Sequence, residues 1–220
     1  MKQQIEMSRE EANIMRLFMF IIWILFIGYA WLMAPGHRGG EDEIMQKLLT
    51  LQHDEPSLLA MFSLLGLYPM AFAFLLLRND RADKPAWPFS LGAFVLGAFA
   101  LIPYYFMNDF RRMGHRNRLP HKHTLLLKHP FLLLILMIGT MGVFIYGFAA
   151  GNLAVYQEAF QQSQFVHVMT VDFAVLTLLS MYAIHVDQRL RATRSRLWWL
   201  GLFPIIGLLL YLWQTAEDVY

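Results

Sequence analysis

The chain has 220 residues, 57% of them apolar and only 15% charged, with a mean hydropathy of +0.42 and a net charge of +2. Soluble domains carry nearer a quarter charged residues. This composition points to a multi-pass membrane protein, where basic side chains record topology rather than nucleic-acid binding. Because cysteine is absent, disulfides, thiolate metal sites, iron–sulfur clusters and thiol catalysis are excluded.

The apolar residues form uncharged runs of 17 or more, each long enough to cross roughly 30 Å of hydrocarbon as a helix. Six such helices are predicted. The first run follows a polar stretch, Met1 to Asn13, is too long for a signal-peptide core and lacks a small-residue cleavage site before Gly39, so it reads as a retained helix. That helix spans about Leu17 to Met33 and stops at Ala34-Pro35-Gly36. In the following loop, Glu41 to Leu51 has the pattern of a short amphipathic surface helix, with Ile44, Leu48, Leu49 and Leu51 apolar. The second helix covers Ser57 to Leu77 and contains Pro69, a kink signal.

The third helix is expected over Trp87 to Met107. Ser90, Ala93, Gly97, Ala100 and Tyr104 fall on one narrow face, which lets a neighbouring helix approach closely. A basic loop follows, Asn108 to Lys128. The fourth helix, Pro130 to Ala150, carries Gly139, Gly142 and Tyr146 on one face and a Gly147-x-x-x-Gly151 pattern. Asn152 to Gln164 reads as a loop without Lys or Arg. The fifth helix runs from Phe165 to Val186, and the sixth from Leu197 to Trp213 with Pro204 and Gly207 inside.

This reading makes the fold all-α: one domain over 1–220, with two similar halves at 14–107 and 129–214. Three helices in each half would make the halves inverted copies. Counted by side, six Lys and Arg fall on one face and twelve on the other, which puts the N-terminus outside. The expected location is a bacterial inner membrane, with a thylakoid or plastid membrane as the alternative.

Asp172 is the one acidic, Lys or Arg side chain well inside an apolar run. A carboxylate in lipid is costly and marks a functional-site candidate. It needs a partner, since an unpaired one would take up a proton. Arg78 is the first choice of partner, and Arg78, Tyr146 and Thr170 are the expected ligand-binding residues. His167, Thr170, Ala174, Thr177, Met181 and His185 form one stripe at helical spacing, with Asp172 opposite. Asp172 with His167 would supply acid–base chemistry. A competing reading makes Asp172 a structural pin between helices. His115, His121, His123, His129 and His185 are placed at one membrane face. His129 and His185, at the ends of helices expected to be antiparallel neighbours, are candidate ligands for a haem or metal ion. The alternative is a basic loop that meets lipid headgroups.

Two resemblances reach specific residues. Pro85-Ala86-Trp87-Pro88-Phe89, Gly92, Gly97-Ala98-Phe99-Ala100 and Pro103-Tyr104, with Tyr29-Ala30 to Pro35 and the fifth helix, resemble a family of uncharacterised membrane proteins of cyanobacteria, other bacteria and chloroplasts. Val166-His167 through Asp172-Phe173 to Pro204-Ile205-Ile206-Gly207-Leu208-Leu209-Leu210-Tyr211 is similar to the family that includes the plant abscisic-acid-deficient, neoxanthin-synthesis membrane protein. That resemblance implies a membrane unit linked to carotenoid conversion, with His167 and Asp172 as carried-over residues. The chain departs from that family after the Asp, with Ala174, Val175 and Leu176 where a Gly-Arg pair is usual.

Two function classes follow. One is a protein that binds or converts a lipophilic, isoprenoid-like molecule in the bundle, with a cofactor unspecified. The other is a non-enzymatic scaffold for a membrane-protein partner. Membrane lipid is the expected environment in both, and no nucleic-acid partner is expected.

Overall fold

The computed structural model describes residues 9–36, 42–111, 118, 120, 127, 129–191 and 196–216. Among the described residues, four helices are long and apolar enough to cross a membrane. They are α1 (Arg9–Gly28, running on as a π-helical turn over Tyr29–Met33), α3 (Pro56–Leu77), α6 (Pro130–Ala150) and α8 (Gln164–Leu190). Two short helices lie in the connections, α2 (Glu43–Leu49) and α7 (Leu153–Gln162). Two more, α4 (Trp87–Leu96) and α5 (Ala98–Met107), flank Gly97, and a 3₁₀ segment (Leu197–Leu202) precedes α9 (Ile206–Gln214).

Local chemistry sets the ends. Ala34 is extended before Pro35, which closes the first span. The Asp42 carboxylate accepts the Met45 N–H at the start of α2. Pro56 opens α3 behind a Glu55 cap, where a missing N–H costs nothing. Asn152 caps α7 through the Ala154 N–H, and Ser163 caps α8 through the Val166 N–H. Each satisfies a donor the helix itself leaves free.

Neither the third nor the sixth run is one straight helix. Phe89 and Tyr104 have ring centroids 5.6 Å apart, whereas in one continuous helix they would be about 22 Å apart along the axis. The Lys84 N–H donates to the Asn108 side chain at 2.6 Å. A Cβ on Gly92 would lie 3.2 Å from the Ala100 Cβ. The chain therefore reverses at Gly97, whose φ of +53° and ψ of −128° suit glycine, and α4 and α5 form a re-entrant hairpin. The small-residue stripe predicted on one straight helix is divided between its two arms.

The second hairpin is built the same way. Gly207 touches the Leu200 carbonyl so closely that a Cβ there would lie 1.7 Å from its oxygen. The Tyr211 hydroxyl donates to Asp187 at 2.5 Å, and Arg191 reaches the Thr215 carbonyl at 3.4 Å. Residue 215 thus returns to the level from which the segment set out. The turn passes through Ile205, at φ +60°.

Contacts order the bundle. α3 and α8 run parallel, meeting at Phe62–Phe165, Tyr68–Thr177 and Arg78–Asp187. α6 runs against α3, with Gly147 over Ala60 and Gly151 over Ser57. α1 runs against α5, joined by Arg16 to the Phe106 carbonyl and Trp23 to the Phe99 carbonyl. The main core gathers Tyr68, Phe72, Leu101, Tyr105, Leu176 and Tyr211. A smaller cluster of Leu48, Leu58, Ala159, Val166 and Met169 sits under α2 and α7.

Both hairpins enter from one face, called here the hairpin face. Each half has two spans and one hairpin, so α1 and α6 point the same way. The expected inverted relation gives way to a parallel one, because a hairpin returns the chain where a span would not. Among the described residues the charge count also changes. Arg9, Arg16, Arg78, Arg81, Lys84, Arg111, Arg118, Arg189, Arg191 and Arg196 belong to the hairpin face, and Lys47 alone to the far face. Seven further Lys and Arg lie outside the described residues.

Candidate functional site

α8 is the central element, and its polar side chains meet three different environments. Near the middle, Asp172 is 6% exposed. Its Oδ1 accepts the Ala98 N–H at 2.9 Å, the first amide of α5. Its other oxygen fills the space beside Gly97, 1.8 Å from where a Cβ would be. The carboxylate therefore caps the hairpin tip at the positive end of α5. The expected pairing with Arg78 is corrected: Arg78 lies about 22 Å farther along the α8 axis, level with Asp187.

At the hairpin face, Asp187 gathers a buried cluster that the sequence reading missed by ending the helix at Val186. Its Oδ2 accepts from Arg78 at 2.7 Å, Arg191 at 2.8 Å and the Tyr211 hydroxyl at 2.5 Å. Arg78 also donates to the Thr215 hydroxyl at 2.9 Å and lies 5.5 Å from the centroid of the Tyr211 ring. This joins α3, α8 and α9 by charge-assisted bonds. The readable signal was Asp187 and Arg191 at i and i+4. Nearby, Asp80 accepts the Ala86 N–H at 3.1 Å and pairs with Arg118 at 3.2 Å. Burial pushes the Asp80 carboxyl up, against these bonds. On Asp109 the hydrogen bonds from Arg111 hold the carboxyl below its usual range.

At the far face, His167 meets Tyr29. The His167 Nδ1 lies 3.1 Å from the Phe160 carbonyl, an oxygen that only accepts, so Nδ1 carries a proton. In the neutral imidazole, Nε2 then accepts from the Tyr29 hydroxyl at 2.5 Å. Phe160 stacks on the imidazole at 4.0 Å between centroids. Tyr29 belongs to the π-helical turn, and Gln164 donates to the neighbouring Ala30 carbonyl at 2.8 Å. Such turns recur at functional sites. Across the connection, burial works to raise the Glu55 carboxyl, but bonds from the Asn152 N–H and Ser57 outweigh it and hold the group low.

The remaining candidates separate. His167 and Asp172 have different partners and do not form one acid–base pair. Thr170 bonds the Tyr156 hydroxyl of α7 at 2.5 Å and its own helix at the Val166 carbonyl. Tyr146 is exposed on α6, away from both clusters. His129 caps α6 by accepting the Phe131 N–H. α6 packs on α3 and α9 rather than pairing with α8 as expected, which removes the geometry assumed for His129 and His185. No group of three His, Asp or Glu suited to a metal ion occurs among the described residues. His115, His121 and His123 lie outside them. Gly147 and Gly151 are used internally against α3.

No protein-family model, curated protein or solved structure matches the chain.

Proposed function

We propose that this protein resides in a bacterial inner membrane with its hairpin face in the cytoplasm. We further propose that it binds and converts a lipophilic, isoprenoid-like molecule at the Tyr29–His167 pair. The orientation is supported by the ten-to-one division of described Lys and Arg, following the positive-inside rule. The observation that carries the chemistry is the chain from Tyr29 through His167 to the Phe160 carbonyl. The carbonyl fixes the tautomer, so Nε2 is available as a base toward the phenol. Tyr29 can lose its proton to His167 and recover one from an acidic position on a bound molecule, or run the exchange in reverse. Asp172 serves this reading as the latch of the hairpin, not as the acid.

The test is mass spectrometry and an absorption spectrum of the protein purified in mild detergent from its native membrane. One stoichiometric lipophilic molecule is expected. His167→Gln and Tyr29→Phe should block its conversion while thermal stability stays near that of the parent. A preparation holding only bulk lipid refutes the reading.

A second reading, a scaffold for another membrane protein, has one observation in its favour. A Cβ on Gly139 or Gly142 would meet nothing within 4 Å, which leaves a close-approach face open on α6. Co-purification of one membrane protein, lost in Gly139→Leu, would favour it.

A further inference from the structure

Between the ends of α3, α5 and α8 lies a half-open cleft of about 30 Å³, lined by Leu75, Leu76, Asn79, Tyr104, Tyr105 and Asp187 among others. Such a space holds about two heavy atoms beyond its walls. Tyr105 is 2% exposed, and its hydroxyl has no hydrogen-bond partner. A buried hydroxyl left so is costly and calls for an explanation. On the other side, all three donors to Asp187 converge on Oδ2. No described residue donates to Oδ1. Besides its apolar walls and the Asn79 and Tyr104 side chains, the cleft thus brings together a fully buried donor without a partner and a spare carboxylate acceptor.

Charge narrows what fits. Arg78 and Arg191 both bond to Asp187, so its carboxylate is already paired with two cations. An ammonium group would have to share Asp187 with both guanidiniums. An anion would face Asp187 Oδ1. A neutral hydroxyl avoids both, because it donates to the carboxylate and accepts from a phenol.

We propose that this cleft binds a hydroxymethyl group, its oxygen held between the Tyr105 hydroxyl and Asp187 Oδ1 and its carbon against Leu75 and Leu76. Two sources carry that group, the glycerol end of a neutral lipid and a free small alcohol. The site stands apart from the Tyr29–His167 pair, at the opposite face.

The experiment is native mass spectrometry of the full chain in detergent with three probes: 1,2-dioleoylglycerol, its 3-O-methyl ether and free glycerol. Retention of dioleoylglycerol over the ether assigns the lipid source. Binding of glycerol with no preference between the two lipids assigns the soluble source. In either case Tyr105→Phe should weaken binding about three- to tenfold, the range for one lost neutral hydrogen bond. It should not lower the melting temperature, because it removes an unsatisfied group. Ala183 also lines the cleft, so Ala183→Leu should abolish binding, while Tyr182→Phe should leave it unchanged. Retention of no probe, or equal binding by the parent and Tyr105→Phe, overturns the proposal and leaves a cleft for water.

Discussion

Replacing Gly97 by alanine tests the hairpin through the sign of the effect. If Trp87 to Met107 were one straight helix, Gly97→Ala would stabilise it by about 1 kcal/mol, the difference in helix propensity. In the hairpin, two costs apply instead. An L side chain at φ +53° and ψ −128° is strained by about 1–3 kcal/mol. The new Cβ also occupies the place of Asp172 Oδ2, 1.8 Å away, so the carboxylate must withdraw from the Ala98 amide. Losing a cap of this kind costs about 0.5–2 kcal/mol. The expected sum is about 1.5–5 kcal/mol of destabilisation. Thermal unfolding in a mild detergent, followed by circular dichroism, measures it, with Gly66→Ala in α3 as a control at a helical site where a Cβ meets nothing within 4 Å. A melting temperature for Gly97→Ala equal to or above the parent's would refute the reversal at this residue.

Four further outcomes follow from the same geometry. The chain lacks cysteine, so Arg81→Cys and Arg111→Cys can each be labelled singly in vesicles; both should react from one side and Lys47→Cys from the other, and opposite sides for the first two would restore a spanning helix. Arg78→Ala should cost about 3–5 kcal/mol, since it leaves Asp187 buried with one cation fewer, and a loss below about 1 kcal/mol would mean that water replaces the guanidinium. Asp80→Ala should cost about 1–3 kcal/mol by orphaning the Ala86 N–H, while Asp80→Asn keeps an acceptor and should cost less. The pH dependence at Asp80 has a definite sign: its folded pKa lies above the unfolded one, so its ionised form weighs against the fold, and stability should rise as pH falls through that window. Asp80→Asn should flatten this rise, and an unchanged profile would assign it to other carboxylates.

Much of this was legible. The class, the four long spans and the singularity of Asp172 all came from uncharged runs and one misplaced carboxylate. The hairpins did not, because two ten-residue arms with one glycine have the length and composition of a single span. One signal was present. Arg81 and Lys84 precede the third run while Arg111 and Arg112 follow it, and a true crossing tends to carry basic residues at one end only. The partner of Asp172 was not legible because it is a backbone amide, which no side-chain pattern reveals. His167 was found, but Tyr29 was not, since the two are 138 residues apart. The Asp187 cluster was hidden by placing the helix boundary at Val186, four residues short of Leu190.

The latch at Gly97 also orders assembly in time. Asp172 follows Ala98 by 74 residues, so α4 and α5 leave the ribosome long before the group that caps their tip. Until α8 arrives, the Ala98 amide has no such acceptor inside the hydrocarbon, where an unmet backbone group is costly. Stable seating of the first hairpin therefore waits on the last long span, and a chain truncated before α8 should leave its first half unable to complete itself.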